Sequence, residues 1–141
     1  MEDVTPFFSF QTDPLNLNFD LQHFNVGSLN CNSLLAQGRL QQVEHILKSN
    51  NFSVFALQET KICPLSDDSC FQIPGFTAYY RHRSRFGGGV IVFCRNDLTS
   101  RQLHHLENST PDLEMVCIEL FCQGKRMVFS SMYRPPLKQQ S

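Results

Sequence analysis

The sequence predicts an α/β fold. Two short apolar runs, residues 19–26 and 53–58, are typical of strands, and the second is apolar enough to be buried on both faces of a sheet. Between them, apolar residues recur at helical spacing, at Leu40, Val43, Ile46 and Leu47. This order indicates a β-α-β unit whose two strands run parallel.

The pattern after residue 61 predicts two β-hairpins instead of further crossover units. Short apolar or alternating runs are separated by turns rich in glycine and proline. Three consecutive glycines, 87–89, supply unusual backbone angles in the first connection. They lack the lysine and the following helix of a phosphate-binding loop, so a structural turn is expected there. The predicted strands are 76–82 with 90–94, and 113–121 with 125–133, separated by a polar loop over 96–112.

The chain divides into a lead-in, one domain and a tail. Residues 1–17 mix proline, phenylalanine and polar residues without a period, which predicts a loosely ordered lead-in. Residues 18–136 hold all other predicted elements, and residues 137–141 form a polar tail. A length of 141 residues is enough for one domain with a real core.

Composition narrows the class of protein. The formal net charge is -1, so any contact with a polyanion must be local. No apolar run approaches the roughly 20 residues of a membrane span, and the acidic N-terminus lacks the basic start of a signal peptide. The expectation is an intracellular protein, nuclear or cytoplasmic, without a membrane partner. None of the six cysteines forms a CxxC pair, which argues against a zinc site.

Two polar residues follow the predicted strands of the β-α-β unit. Asn25 and Glu59 each stand at the C-terminal end of an apolar run. Because the carboxyl ends of such strands form the ligand crevice of open sheets, we expect these side chains to lie side by side. One amide and one carboxylate oxygen suit a hard cation such as Mg²⁺. Taken singly, Glu59 could be a solvated or helix-capping acid, and Asn25 could be a turn former.

A basic cluster lies in the connection of the first hairpin. Arg81, Arg83 and Arg85 alternate with polar residues there and could follow a nucleic-acid backbone. The plain alternative is a solvated hairpin tip.

Five segments, taken in order, resemble a known superfamily, and they are residues 24–29, 57–60, 73–76, 87–90 and 132–136. The chain resembles the N-terminal part of an endonuclease/exonuclease/phosphatase domain, in particular the endonuclease of LINE-type (non-LTR) retrotransposon polyproteins. That resemblance implies a two-sheet α/β sandwich and Mg²⁺-dependent cleavage of phosphate esters, with DNA as the partner and no small-molecule cofactor.

The resemblance also implies roles for individual residues. Glu59 would hold the metal, and Asn25 would help to position the metal or the phosphate. Tyr133 would contact the scissile phosphate as a second catalytic residue. Arg134 would be either a phosphate contact or a solvated strand end.

The sequence departs from the family pattern after Tyr133. The family places an Asp–Asn pair after a later turn and an Asp–His pair near the end of the domain, and the printed sequence contains neither. The expectation is an N-terminal, catalytically incomplete fragment of a Mg²⁺-dependent DNA endonuclease that binds Mg²⁺ weakly or not at all. Alternatives are a non-catalytic remnant that binds nucleic acid weakly, and a phosphatase of the same superfamily.

The same resemblance predicts that the chain associates with itself. The family packs two sheets face to face, and this sequence carries mainly the first. Apolar residues of one sheet face would then lose part of their cover, which favours association. The residues expected on that face include Val92, Val116, Ile118, Val128 and Met132.

Overall fold

The computed structural model describes residues 8–12, 24–107 and 112–136. Its helices and strands follow the order β1 Phe8–Thr12, β2 Val26–Asn30, α1 Arg39–Ser49, β3 Val54–Gln58, β4 Phe76–Arg81, β5 Val90–Arg95, β6 Thr99–Gln102, β7 Glu114–Cys122 and β8 Lys125–Tyr133. Two short 3₁₀ segments, Asp68–Phe71 and His104–Leu106, interrupt the loops. Within these described ranges, no helix is long and apolar enough to cross a membrane.

The strands form two four-stranded sheets. One has the order β2-β3-β5-β4 and the other β1-β8-β7-β6. β2 and β3 are parallel and joined through α1, as the sequence predicts. Both predicted hairpins are present, β4 with β5 and β7 with β8. The predicted α/β class with two sheets is therefore confirmed.

The two sheets bury a shared core because both facing surfaces are apolar. Every residue of β3 is buried, as expected for a strand covered on both sides. The core between the sheets comprises Phe24, Val54, Ala56, Val90, Val92, Cys94, Val116, Ile118, Leu120, Met127 and Phe129. A second core on the other face of β3 includes Leu29, Leu34, Val43, Leu47, Phe55, Leu57, Ile62, Phe71, Ile73, Ile91 and Phe93.

This packing corrects one expectation about exposed apolar surface. Val92, Val116 and Ile118 are fully buried, because the described part of the second sheet already covers the first. Val128 and Met132 alternate with the inward-facing residues of β8, lie on the outer side of that sheet, and are half-buried. Self-association of the chain stays a prediction.

Two strands of the structure were not predicted from the sequence. β1 lies inside the segment predicted as a lead-in and pairs antiparallel with β8. β6 lies inside the predicted polar loop and pairs with β7 at the sheet edge. The rest of the lead-in, residues 1–7 and 13–17, and the tail 137–141 lie outside the described residues.

Candidate metal and phosphate site

Glu59 and Tyr133 meet where the two sheets come together. Glu59 is the first residue after β3, and Tyr133 is the last residue of β8. The Tyr133 hydroxyl donates a hydrogen bond to Oε1 of Glu59. Among the described residues, no group donates to Oε2 of Glu59. The structure thus brings these two predicted site residues into contact.

The backbone around Glu59 turns sharply. Glu59 and Lys61 have positive φ angles of 55° and 54°, and Asn32 and Ser33 in the facing loop have 44° and 83°. The two loops hold each other, since the Ser33 amide donates to the Glu59 carbonyl at 2.8 Å. This left-handed conformation costs free energy for residues other than glycine, and residues that adopt it cluster at functional sites. The edge beyond β2 and β3 is the described region with the most left-handed non-glycine residues.

Asn25 lies at the opposite end of the sheet from Glu59. It precedes β2, and its side-chain amide donates to the carbonyl oxygen of Asn51 at 3.1 Å. Its own carbonyl accepts the Ser53 amide, where β3 begins. The five residues of β2 separate it from the Glu59 edge by about 16 Å, at roughly 3.3 Å per residue. The expectation that Asn25 and Glu59 lie side by side is wrong.

The error lies in the bounds of the predicted first strand, residues 19–26, which placed Asn25 at its C-terminal end. Residues 19–23 of the predicted first strand lie outside the described residues, and the strand seen begins at Val26. Gly27 is the second residue of this strand, where a Cβ would lie 2.7 Å from ring atoms of Phe52 and Phe55, so only glycine fits without a shift of those rings. This glycine serves close packing and not a turn.

Asn30 occupies the position expected for Asn25. It is the last residue of β2, and the parallel register places it beside Gln58, the residue before Glu59. Its Oδ1 accepts the Asn32 amide at 3.2 Å, which fixes the side chain. The sequence offered a signal for this position. Parallel strands joined by one helix end at the same edge of a sheet, so the residue that ends β2 should lie beside Gln58, where β3 ends.

A buried polar network supports the edge from below. Gln58 donates from Nε2 to Oγ of Ser28 at 2.9 Å and to Oγ of Ser131 at 3.0 Å. All three residues are buried. Ser28 lies on β2 and Ser131 on β8, so the network ties the two sheets together one residue before Glu59. Satisfied buried networks of this kind hold neighbouring elements in one arrangement.

Hydrogen bonds hold Gly88 and Gly89, which lie between β4 and β5, against this edge. Gly88 and Gly89 have positive φ angles of 72° and 97°. The Gly89 amide donates to Oε2 of Glu114 at 2.6 Å, and the Lys61 amide donates to the Gly88 carbonyl at 2.9 Å. The described contacts agree with the predicted structural turn.

Glu114 is a second residue that the sequence analysis missed. It is only 6% exposed, and the register of β7 with β8 places it beside Tyr133. Its Oε1 is buried without a hydrogen bond and lies 3.6 Å from Nη1 of Arg83. A carboxylate is unusual at the first position of a buried strand, and this is the feature of the sequence that could have pointed to Glu114.

The electrostatics keep Tyr133 protonated. Burial raises the pKa of Tyr133, and the hydrogen bond to Glu59 and the charges of Glu59 and Glu114 raise it further, while Arg83 opposes them. The hydroxyl is therefore a hydrogen-bond donor across the physiological range. Among the predicted arginines, Arg83 is the one whose charge acts on the pKa of Tyr133.

The other predicted arginines are distributed around the edge. Arg81 ends β4 opposite Val90. Arg85 places its guanidinium 4.7 Å from the centre of the Phe86 ring. Arg134 follows Tyr133 directly and is exposed. The structure thus brings Arg83 into contact with a site residue and leaves Arg85 and Arg134 at the surface.

The residues present fit a divalent cation in part. Glu59 offers an uncommitted carboxylate oxygen, and Asn30 offers an amide oxygen at the same edge, which are ligands that Mg²⁺ accepts. Among the described residues, no group of three or more histidine, cysteine, aspartate or glutamate side chains could hold a metal. Most of the coordination shell at this edge would therefore be water or substrate.

Comparison with known proteins gives the family. A search among curated proteins finds no match to this chain. The model of the endonuclease/exonuclease/phosphatase family matches residues 23–137, which is most of the 141-residue sequence. Glu59, Asn30 and Tyr133 all lie within the matched range. The chain therefore belongs to the endonuclease/exonuclease/phosphatase family.

Proposed function

We propose that this chain forms the metal- and phosphate-binding edge of a Mg²⁺-dependent phosphodiesterase that acts on DNA, of the retrotransposon endonuclease type. The observation that carries the proposal is the hydrogen bond from Tyr133 to Glu59. It joins the ends of two strands from different sheets and leaves one oxygen of Glu59 directed to an edge that also carries Asn30.

Each residue has a role that its contacts allow. Glu59 would hold the metal through Oε2 while Tyr133 fixes Oε1, and Asn30 would supply a neutral oxygen ligand or an amide donor. When bound, Mg²⁺ supplies positive charge that neutralises the phosphate oxygens.

Tyr133 would donate from its protonated hydroxyl to a phosphate oxygen once substrate displaces Glu59 from that bond. A fixed donor of this kind positions the phosphate for in-line attack. Arg83, held 3.6 Å from Glu114, would add a cation at the rim. Arg81, Arg85 and Arg134 would contact neighbouring phosphates, where charge and not shape decides affinity.

We further propose that the 141-residue chain binds metal and phosphate without turning substrate over. Glu114, the other carboxylate near Tyr133, is already committed to the Gly89 amide. Among the described residues, the carboxylates and histidines do not assemble into a metal cluster. A missing member of a catalytic unit costs several orders of magnitude in rate. Binding of metal and phosphate is therefore the function that these residues support best.

The test combines calorimetry with plasmid nicking. We expect Mg²⁺ to bind with a dissociation constant on the order of millimolar, because water fills most of its shell. Glu59→Gln should abolish this binding. Glu44→Gln should not, because Glu44 lies on α1 and pairs with Lys48. Nicking of supercoiled plasmid should not exceed that of Glu59→Gln.

Two results would contradict the proposal. Binding of Mg²⁺ that is indifferent to Glu59→Gln would remove Glu59 from the metal site. Clear nicking by the wild-type chain that Glu59→Gln abolishes would show that the site is complete in these 141 residues.

A further inference from the structure

The connection between β4 and β5 presents an aromatic ring to solvent. We call residues 83–87 the Phe86 tip. Phe86 is 78% exposed, although a phenylalanine side chain gains about 1.5–3 kcal/mol from full burial. Three of the other four residues of the tip are polar or charged, and the fourth is glycine, so the tip carries one isolated apolar ring and no apolar patch.

Hydrogen bonds within the tip hold the ring in place. Ser84 and Gly87 form an antiparallel bridge, and Oγ of Ser84 accepts the Phe86 amide at 3.2 Å. The guanidinium of Arg85 lies 4.7 Å from the centre of the Phe86 ring. A cation over the ring fixes its orientation, while the high exposure leaves most of its surface available to a planar ligand.

The tip is attached directly to the Glu59–Tyr133 edge. Gly88 and Gly89 follow it, and the Gly89 amide is bonded to Glu114 beside Tyr133. At the other end of the tip, Arg83 pairs with the same carboxylate. The tip is therefore tied to Glu114 through Arg83 and through the glycines that follow it, and so adjoins the proposed phosphate-binding edge.

We propose that Phe86 is a base-stacking residue for an unpaired nucleobase next to the phosphate held at the Glu59–Tyr133 edge. This inference rests on the proposed function and narrows its substrate to nucleic acid with at least one unstacked base. Every base offers a π-face to an aromatic side chain, and flanking arginines attract the backbone phosphates. A small phosphomonoester would leave Phe86 without a partner.

The charge of the tip favours nucleic acid over a lipid surface. A membrane-inserting loop buries several apolar side chains among lipid chains, and its binding grows with that apolar area. The Phe86 tip has a single such side chain, which follows two arginines, Arg83 and Arg85. One ring with adjacent cations matches the arrangement by which proteins bind single strands, with stacking on aromatics and charge along the backbone.

The experiment measures fluorescence anisotropy with two labelled probes, a ten-nucleotide oligothymidine and an abasic oligomer of the same length. We expect Phe86→Ala to weaken binding of oligothymidine by about five- to hundredfold and to leave the abasic oligomer within about twofold. Phe86→Trp should restore oligothymidine binding. Leu65→Ala is the matched control, because Leu65 is 94% exposed in another loop and should change neither probe.

Three outcomes would overturn the inference. They are no effect of Phe86→Ala on oligothymidine, an equal loss for both probes, and no binding of oligothymidine by the wild-type chain. Binding to vesicles of phosphatidylserine and phosphatidylcholine that Phe86→Ala abolishes, without discrimination between the probes, would assign the tip to membranes. Failure of the proposed function can be told apart from failure of this inference, because the proposed function is tested separately by Mg²⁺ binding to wild type and to Glu59→Gln.

Discussion

Replacing Gly88 with alanine should destabilise the site edge far more than the same change at Gly87. A Cβ at Gly88 would lie 2.3 Å from Oε1 of Glu114 and 2.5 Å from Cδ of Arg83, on a backbone with φ of 72°. A Cβ at Gly87 meets nothing within 4 Å, and its φ is not in the left-handed region. The two neighbours therefore form a matched pair.

The expected cost follows from two contributions. An alanine in the left-handed region costs about 1–2 kcal/mol. Displacing Glu114 also weakens its charge-assisted bond to the Gly89 amide, and hydrogen bonds to charged groups contribute about 1.5–3 kcal/mol. Gly88→Ala should thus lose about 2–5 kcal/mol, a large part of the roughly 5–15 kcal/mol that stabilises a typical domain.

Urea unfolding followed by circular dichroism measures this difference. Gly87→Ala should stay within about 1 kcal/mol of wild type, since removing a glycine mainly restricts the unfolded chain. The reasoning is refuted if Gly88→Ala and Gly87→Ala unfold at the same urea concentration with the same slope. That result would mean that Glu114 is not packed against the glycines.

Three further predictions concern other parts of the chain. Because the pKa of Tyr133 is raised, the stability from its neutral hydroxyl is complete below about pH 10 and is lost as the pH rises through the raised pKa. The free energy of unfolding in urea should therefore fall more steeply above about pH 10 for wild type than for Tyr133→Phe, and parallel pH curves would contradict this. Gly27→Ala should cost about 1–3 kcal/mol in the same assay, because its Cβ would overlap two phenylalanine rings, and an unchanged midpoint would contradict that packing. Burial raises the pKa of Cys31 to about 12 and that of Cys94 to about 11. Both thiols should therefore react with a thiol reagent only after unfolding, later than the three partly exposed cysteines, and immediate labelling of all six would refute their burial.

The elements that the sequence predicted correctly have local signatures. The β-α-β unit follows from the apolar run of β3 and the helical spacing of α1, and both hairpins follow from alternating runs around glycine turns. β1 and β6 have no such signature. β1 needs β8, more than a hundred residues away along the chain, and β6 is a polar edge strand that its pairing with β7 defines.

The site was predictable in part for the same reason. Glu59 and Tyr133 stand at the ends of clear strands, and those strand ends follow from the sequence pattern. The role of Tyr133 followed only from the family resemblance. Asn30 was missed because the first strand was predicted to end at Val26, whereas in the structure the strand begins there and continues to Asn30. Glu114 was missed because its role depends on the Gly89 amide, a contact between residues 25 positions apart.

The central claim is that the metal site lies at the Asn30–Glu59 edge and not at Asn25. Substoichiometric Mn²⁺, used in place of Mg²⁺, tests it through line broadening in ¹⁵N–¹H correlation spectra. We predict that the amides of Asn30, Glu59 and Tyr133 broaden first, that Asn25 broadens last, and that Glu59→Gln removes the pattern while Glu44→Gln preserves it. Broadening centred on Asn25, or broadening that Glu59→Gln leaves unchanged, would contradict the account.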